Sequence, residues 1–560
     1  MRAPVLLASI AAGAIALYLA SCSSNDATPP VVDAGGDETA DVVDAAVTPF
    51  CTTASLPTSP FSAGPYGTHR GEVAEDFSLP VVGGATWSFK GSFSGCELTV
   101  VVPDGITVSA ADPTSIWTKD KDLATLVGTS PKNVRYVFIS TQSNAGAAEA
   151  SAQAMQDRID ALLATLPEAD AAHWRDHLVV AGVRSADLAN ATWVYTVLNK
   201  YGYPGFAIDR TQHIQGLGSL ADIKRFSSKL QNQNLWPYEN NLAYAANEAT
   251  YLNAQYDRQS KLEAEQAKVV KLWNGEILSE FAEVDVALPT AQEMAGYDTL
   301  QVEISMACPK PGQDELGNCG AWDYIARLQV REGDDGGANL EIARFITSYH
   351  RETHWIVDAT PWLARLQAGG TRHFRWDFAP SWNKQPTATT MALHFSNAKK
   401  GYAPSQIVPL FVGGPFNSTY NVGRVPVDVP IPADAKRVEL WTLVTGHGAE
   451  TNQCAEFCNH QHELTLGGQK HLLEFPAVGK NDGCIAEQAR GMVPNQSGTW
   501  WLGRGGWCPG QQVDPWILDV TADAKPGTTA SVSYRGLYAN ATPPDASGTI
   551  DLASYLVISK

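Results

Sequence analysis

The sequence predicts a mainly β protein, with two adjacent antiparallel sandwiches or jelly rolls over residues 268–560 behind an α/β module over 50–267. Three observations predict it. From residue 268 onward, short alternating segments recur at regular spacing. Among them are TLQVEISM (299–306), DYIARLQV (323–330), TMALHFS (390–396), RVELWTLV (437–444) and SVSYRGL (531–537), separated by Gly, Pro, Asn and Asp. That alternation is the period of a half-buried strand, and its repetition marks an all-β sandwich or barrel. The stretch runs to about 290 residues, enough for two such units rather than one. Residues 50–267, in contrast, mix continuous apolar runs with helical periodicity.

The N-terminus lies outside these units. MRAPVLLASIAAGAIALYLASC has one early Arg, an apolar run and a small-residue site, the pattern of an export signal. Its end, LASC (19–22), resembles a bacterial lipobox. That resemblance implies cleavage before Cys22 and a lipid on it, and Ser23 implies the outer membrane or cell surface. An ordinary secretion signal with a chance cysteine is the alternative. Residues 23–49 are acidic, rich in Ala and Pro and without aromatics, which predicts a disordered tether. The net charge of −19 argues against nucleic acid or anionic lipid as a partner. Membrane contact would run through the lipid alone, and no later apolar run is long enough to span a bilayer. A monomer is expected.

There are nine cysteines. With Cys22 assigned to lipid the rest are even in number, in an oxidising context. Nearest neighbours would pair as Cys51–Cys96, Cys308–Cys319, Cys454–Cys458 and Cys484–Cys508, although connectivity stays open in sequence.

Within 50–267, CELTVVVP (96–103), VRYVFIST (134–141) and HLVVAGV (177–183) read as strands. Between the last two, Met155, Ile159, Leu162, Leu163 and Leu166 recur at helical spacing. With GEVAEDFSLP and YGYPGFAIDRTQHI, these segments resemble the thioredoxin and peroxiredoxin framework, Pro204 standing where that fold carries a cis-proline. No Cys-x-x-Cys accompanies them, so the module is expected to be redox-inactive. A helix over 250–273 is expected to lead out of it.

Three places could carry chemistry. Asp323 lies between two aromatics, four residues after Cys319. Glu456 lies between Cys454 and Cys458, and a bridge over three residues forces a tight turn with the acid at its tip. NQSGTWWLGRGGWCPG (495–510) gathers Trp500, Trp501, Arg504 and Trp507 among glycines, which reads as a binding surface. Two acids stiffly held beside aromatics suit acid–base work. Cys454, Cys458, His460 and His462, with His447 nearby, permit a zinc reading, but alternation puts the two histidines on one strand face and oxidation explains the cysteines better. His-Glu-x-x-His, EF-hand, Gly-x-Ser-x-Gly, Walker and dinucleotide loops are absent, so no metal or cofactor is expected.

CGAWDY, ARFITSY, QCAEFC and NQSGTWWLGRGGWCPG together resemble the peptide-N-glycosidase F family over about 268–560. The resemblance implies two adjacent eight-stranded antiparallel jelly rolls, 268–414 and 415–560, preceded by the thioredoxin-like module. It also implies hydrolysis of the amide joining asparagine to N-acetylglucosamine on N-glycosylated proteins or glycopeptides. Carried over by motif, the catalytic acids fall on Asp323, Glu456 and, by an ungapped reading, Asp377. Arg504 and Trp507 match the family's pattern in the cleft, and Trp322, Trp500 and His447 are expected beside them as substrate-binding residues. Arg504 is expected on the peptide side or on the developing oxyanion. Two positions depart from the family: Tyr324 where it has Arg, and Asp377 where it has Glu. The Cys308–Cys319 loop is also longer. These departures keep open a glycan-binding protein without turnover; an endoglycosidase cutting between the first two sugars is a second alternative.

Overall fold

The computed structural model describes residues 49–105, 115–189, 192–201, 204–226, 238–331, 339–448, 455–545 and 548–560. Cys22, the export signal and nearly all of the acidic tether lie outside them, as do Cys454 and hence its expected bridge to Cys458. Among the described residues no helix is long and apolar enough to cross a membrane. The disulfides Cys51–Cys96, Cys308–Cys319 and Cys484–Cys508 are formed.

The N-terminal module is built on a five-stranded mixed sheet. Leu98–Pro103 is central and pairs in parallel with Val134–Ile139, which pairs in parallel with Leu178–Val180. On the other side Phe206–Ile208 and Ile214–Gly216 add antiparallel strands. The two central strands are buried on both faces, as continuous apolar runs require. The helix Ala145–Leu163 turns Met155, Ile159 and Leu163 inward. The α/β texture is as expected, whereas the thioredoxin likeness gains nothing beyond the segments that suggested it. The last helix, Ala245–Ala264, is shorter than expected and is followed by Gln266 at a left-handed φ of 50°. Lys268–Leu278 is already a strand, its β-branched and aromatic side chains favouring the pleated surface.

That strand opens the first jelly roll. One sheet orders Lys268–Leu278, Thr387–Ser396, Thr299–Ala307 and Thr353–Asp358; the facing sheet orders Phe281–Leu288, Gly370–Asp377, Ile325–Arg331 and Asn339–Ile346. Alternation does what it predicts: Leu300, Val302, Ile304 and Met306 point inward, as do Ala326, Leu328 and Val330 across from them. The second roll repeats the plan, with Pro404–Pro415, Thr549–Ser559, Arg437–His447 and Trp516–Asp519 in one sheet. Val427–Pro430, Thr529–Tyr538, His460–Leu466 and Gln469–Leu473 form the other. The seam differs from the expected one, because Pro404–Pro415 pairs along its length with Thr549–Ser559.

The rolls are joined, not merely adjacent. The core of the first continues into Trp441, Leu443, Trp507 and Tyr555 of the second half, and Gln512–Val513 adds a short strand to the first roll. Arg344, fully buried, ion-pairs Glu341 at 2.7 Å in its own strand and Asp551 at 2.8 Å in the second roll. It also donates to the Thr445 hydroxyl at 2.9 Å. A buried cation this well partnered is costly to strand, so Arg344 ties the two rolls together.

Candidate active site

Asp323 lies just ahead of the strand Ile325–Arg331, in a bent segment whose backbone is tied on either side of it. The Trp322 N–H donates to the Gln385 side chain at 2.7 Å. The Thr347 hydroxyl donates to the Trp322 carbonyl at 2.5 Å and lies 2.8 Å from the Tyr324 N–H, which it accepts. These bonds begin the strand later than alternation alone suggests and leave Trp322 53% exposed instead of packed inward.

Glu456 comes from the second roll, in the turn that precedes His460–Leu466. Its carbonyl accepts the Gly505 N–H at 2.7 Å and its carboxylate accepts the Gly448 N–H at 3.2 Å. The glycines of the 503–506 loop are what allow this approach. A Cβ on Gly505 would lie 2.2 Å from His460 Nε2 and 2.6 Å from the Ala455 carbonyl.

Arg504 joins the two acids. Its Nη2 is 3.4 Å from Asp323 Oδ2 and its Nε is 3.3 Å from Glu456 Oε1. The remaining N–H groups donate to the carbonyls of Thr499 (3.1 Å) and Leu502 (2.9 Å), to the Thr499 hydroxyl (3.0 Å) and to the Tyr349 hydroxyl (3.3 Å). Tyr349 in turn hydrogen-bonds Asp323. The guanidinium also lies over Trp507, 4.9 Å from the ring centroid. Arg504 is therefore buried with its donors occupied. It holds the acids, and the expectation that it reaches a peptide or an oxyanion is corrected on that ground.

Burial raises the carboxyl pKa of Asp323, against the lowering pull of Arg504 and of the Tyr349 hydrogen bond. Burial raises that of Glu456 too, with Arg504 pulling it down and the charge of Asp323 pushing it up. The same cation thus offsets, without cancelling, the cost of two desolvated acids. Two such groups coupled through one arginine titrate as a pair.

Around them, the Trp507 indole N–H donates to the Gly446 carbonyl at 2.7 Å and its ring stacks on His447 at 5.1 Å. Burial, with the nearby charge of Arg344, pushes the His447 pKa down to about 3, so the ring is neutral at ordinary pH. His460 and His462 are buried and spent on each other at 2.7 Å, and His462 also bonds the Tyr534 hydroxyl at 2.8 Å.

Two expected residues lie elsewhere. Trp500 is fully buried in a core shared with the N-terminal module, edge-on to Tyr244 at 6.1 Å, and Trp501 is buried beside it. Neither is a binding surface, because the loop turns them toward a module whose packing no local pattern announces. Asp377 is not joined to the cluster. Arg375, two residues earlier on the same strand face, takes both its oxygens at 2.6 and 2.8 Å. Among the described contacts it bonds neither acid nor Arg504.

One residue was missed. Trp382 is 79% exposed, edge-on to Tyr324 at 5.9 Å, while Asn383 donates to the Tyr324 hydroxyl at 3.0 Å. Tyr324, the residue after Asp323, thus anchors an exposed ring. A Trp isolated in the turn sequence PSWNKQP was the available signal.

The N-terminal module also reaches the site. Glu315, in the Cys308–Cys319 loop, ion-pairs Arg70 of the module and Arg351 (2.7 Å). Arg351 pairs the buried Glu248 at 3.0 Å, and Arg70 pairs Glu352 at 2.9 Å. The longer loop is therefore locked against the module.

Comparison with known proteins gives the same resemblance as the motifs. The sequence family described as peptide-N-glycosidase F, C terminal, matches residues 415–557. The peptide-N(4)-(N-acetyl-β-D-glucosaminyl)asparagine amidase F of Elizabethkingia miricola is 24% identical over 280 residues, which cover 47% of this chain and 73% of that protein. A solved asparagine amidase of the same description is 21% identical with a TM-score of 0.42, covering 52% of this chain and 96% of its own. PNGase F from Flavobacterium meningosepticum is 20% identical with a TM-score of 0.40, covering 52% and 95%. This chain is similar to peptide-N-glycosidase F and, like it, mainly β.

Proposed function

We propose that this chain is an amidase that cleaves the bond between asparagine and N-acetylglucosamine on N-glycosylated proteins or peptides. One observation carries the reading: Asp323 and Glu456, from different rolls, meet at Arg504 with both carboxyl pKa values raised. A carboxyl whose pKa burial raises holds a proton more readily than an ordinary one, which suits a pair that takes and gives protons. Asp323 takes the proton of a water that attacks the side-chain amide carbon. Glu456, carrying a proton, hydrogen-bonds the linkage nitrogen and protonates it as the carbon–nitrogen bond breaks. The products are aspartate and a glycosylamine, and the pair returns to its starting state when the proton on Asp323 passes to Glu456, directly or through water. Trp322 and Trp382 offer exposed faces to the first sugar rings. The disulfides suit a substrate met outside the cytoplasm, in keeping with the export signal and lipid anchor at Cys22 that we propose for the N-terminus.

The test is mass spectrometry of a denatured glycoprotein after incubation with the full chain. Released glycan together with Asn converted to Asp supports the amidase. Intact glycopeptide retained on the protein would favour glycan binding without turnover, and one sugar left on an unchanged Asn would favour an endoglycosidase.

A further inference from the structure

A cavity of about 550 Å³ opens beside Asp323, between the N-terminal module and the Cys308–Cys319 loop. On the module side it is walled by the backbone of Gly205, Gly216 and Gly218 with Leu217; on the other by Leu316, Trp322 and Tyr349. Tyr349 and Trp322 belong to both places. The Tyr349 hydroxyl bonds Asp323, and Trp322 precedes it in the chain. The cavity thus adjoins the candidate active site through Tyr349, which lines the one and bonds Asp323 in the other.

The walls define what fits. The charged groups bordering the cavity are largely committed to one another. Arg351 is held by Glu248, Glu315 and the Gly216 carbonyl, and Glu315 by Arg70 and Arg351. Rings, leucines and glycine backbone make most of the remaining lining, Ser219, Asp314, His350, Asn495 and Ser497 supply its polar part, and Leu316 is 69% exposed at its edge. An apolar amino-acid side chain matches the greater part of this lining, whereas a sugar would have only those few polar groups for its many hydroxyls. The exposed ring of Trp382, which does not line the cavity, already provides a place for sugar outside it.

We infer that this cavity is the subsite for the polypeptide flanking the glycosylated asparagine, and that it takes an apolar side chain. The inference rests on the amidase reading and deepens it. The N-terminal module then serves as one wall of a peptide pocket, fixed to the catalytic body through Arg70, Glu248, Glu315 and Arg351.

The test uses the full chain with Asp323→Asn, so that substrate is held and not turned over. Two fluorescent peptides carry N-acetylglucosamine on asparagine, one with leucines flanking it and one with glycines, and anisotropy gives their Kd values. About tenfold tighter binding of the leucine peptide is expected, the usual worth of one well-buried apolar side chain. Leu316→Asp and Ser497→Trp, at the rim and within the cavity, should each shrink that ratio to about twofold with an unchanged circular dichroism spectrum. Equal Kd values with the unaltered cavity, no binding of either peptide, or a ratio surviving both substitutions overturns the inference. Failure of the amidase reading shows separately, as no release of sugar from either peptide by the chain with Asp323 intact.

Discussion

Arg504 and Arg375 each stand between two carboxylates, in opposite surroundings. Arg375 lies partly exposed on an open sheet face, gripping Asp377 at 2.6 and 2.8 Å and Glu283 at 2.8 Å. Arg504 is buried, stands 3.3–3.4 Å from its two acids and spends its other donors on backbone and hydroxyls. The short pairs, one within the strand and one to its neighbour, both partly exposed, are scaffold and contribute little to stability. Burial raises the carboxyl pKa of both acids beside Arg504, and the one cation they share offsets that without cancelling it. Closeness of an arginine to two acids does not make a site; what matters is how completely it satisfies them.

The sharpest break of that contrast is Asp323→Asn. It keeps size and removes the proton acceptor, so glycan release should fall about a thousandfold, within the usual worth of a general base, while thermal unfolding shifts little. Near-wild-type release in that variant would end the assignment.

Arg504→Gln comes next. It removes the one charge that favours ionised Asp323 and Glu456, so both carboxyls should rise further. For a reaction that needs one of them ionised, activity climbs as pH rises through that carboxyl's raised pKa. The variant should move that acid limb to higher pH and lower the plateau about a hundredfold. A pH–rate profile with an unmoved limb would show that Arg504 does not tune the pair.

The exposed ring tests the sugar side. Trp382→Ala deletes a stacking face without touching either acid, so KM should rise roughly tenfold with kcat nearly unchanged, the signature of lost uniform binding. A fall in kcat alone would place Trp382 nearer the reacting atoms.

Much of this was legible in local sequence. Alternation located the strands, and short motifs carried Asp323, Glu456 and Arg504, because each is fixed by bonds within a few residues or to one facing loop. What escaped depended on distant partners. Trp500 and Trp501 sit in a Gly-rich loop that reads as a binding surface, until Tyr244 and the N-terminal core are seen to cover them. The cavity wall at Gly216–Gly218 belongs to a module the family resemblance does not reach. Asp377 is a different failure. Arg375 and Asp377 stand two apart on a strand and so share a face, which is enough to foresee their pairing. Counting ungapped positions overlooked it.

That pairing makes the smallest prediction and the cleanest control. Asp377→Asn should weaken a surface bidentate pair, costing about 0.5–1 kcal/mol of stability, and leave glycan release within about twofold of wild type. Arg375 keeps Glu283 and no buried charge is stranded, so the loss stays local. A severe loss of turnover with unchanged folding would mean that Asp377 reaches the reacting atoms in the substrate-bound state, and the two arginines would no longer divide scaffold from site.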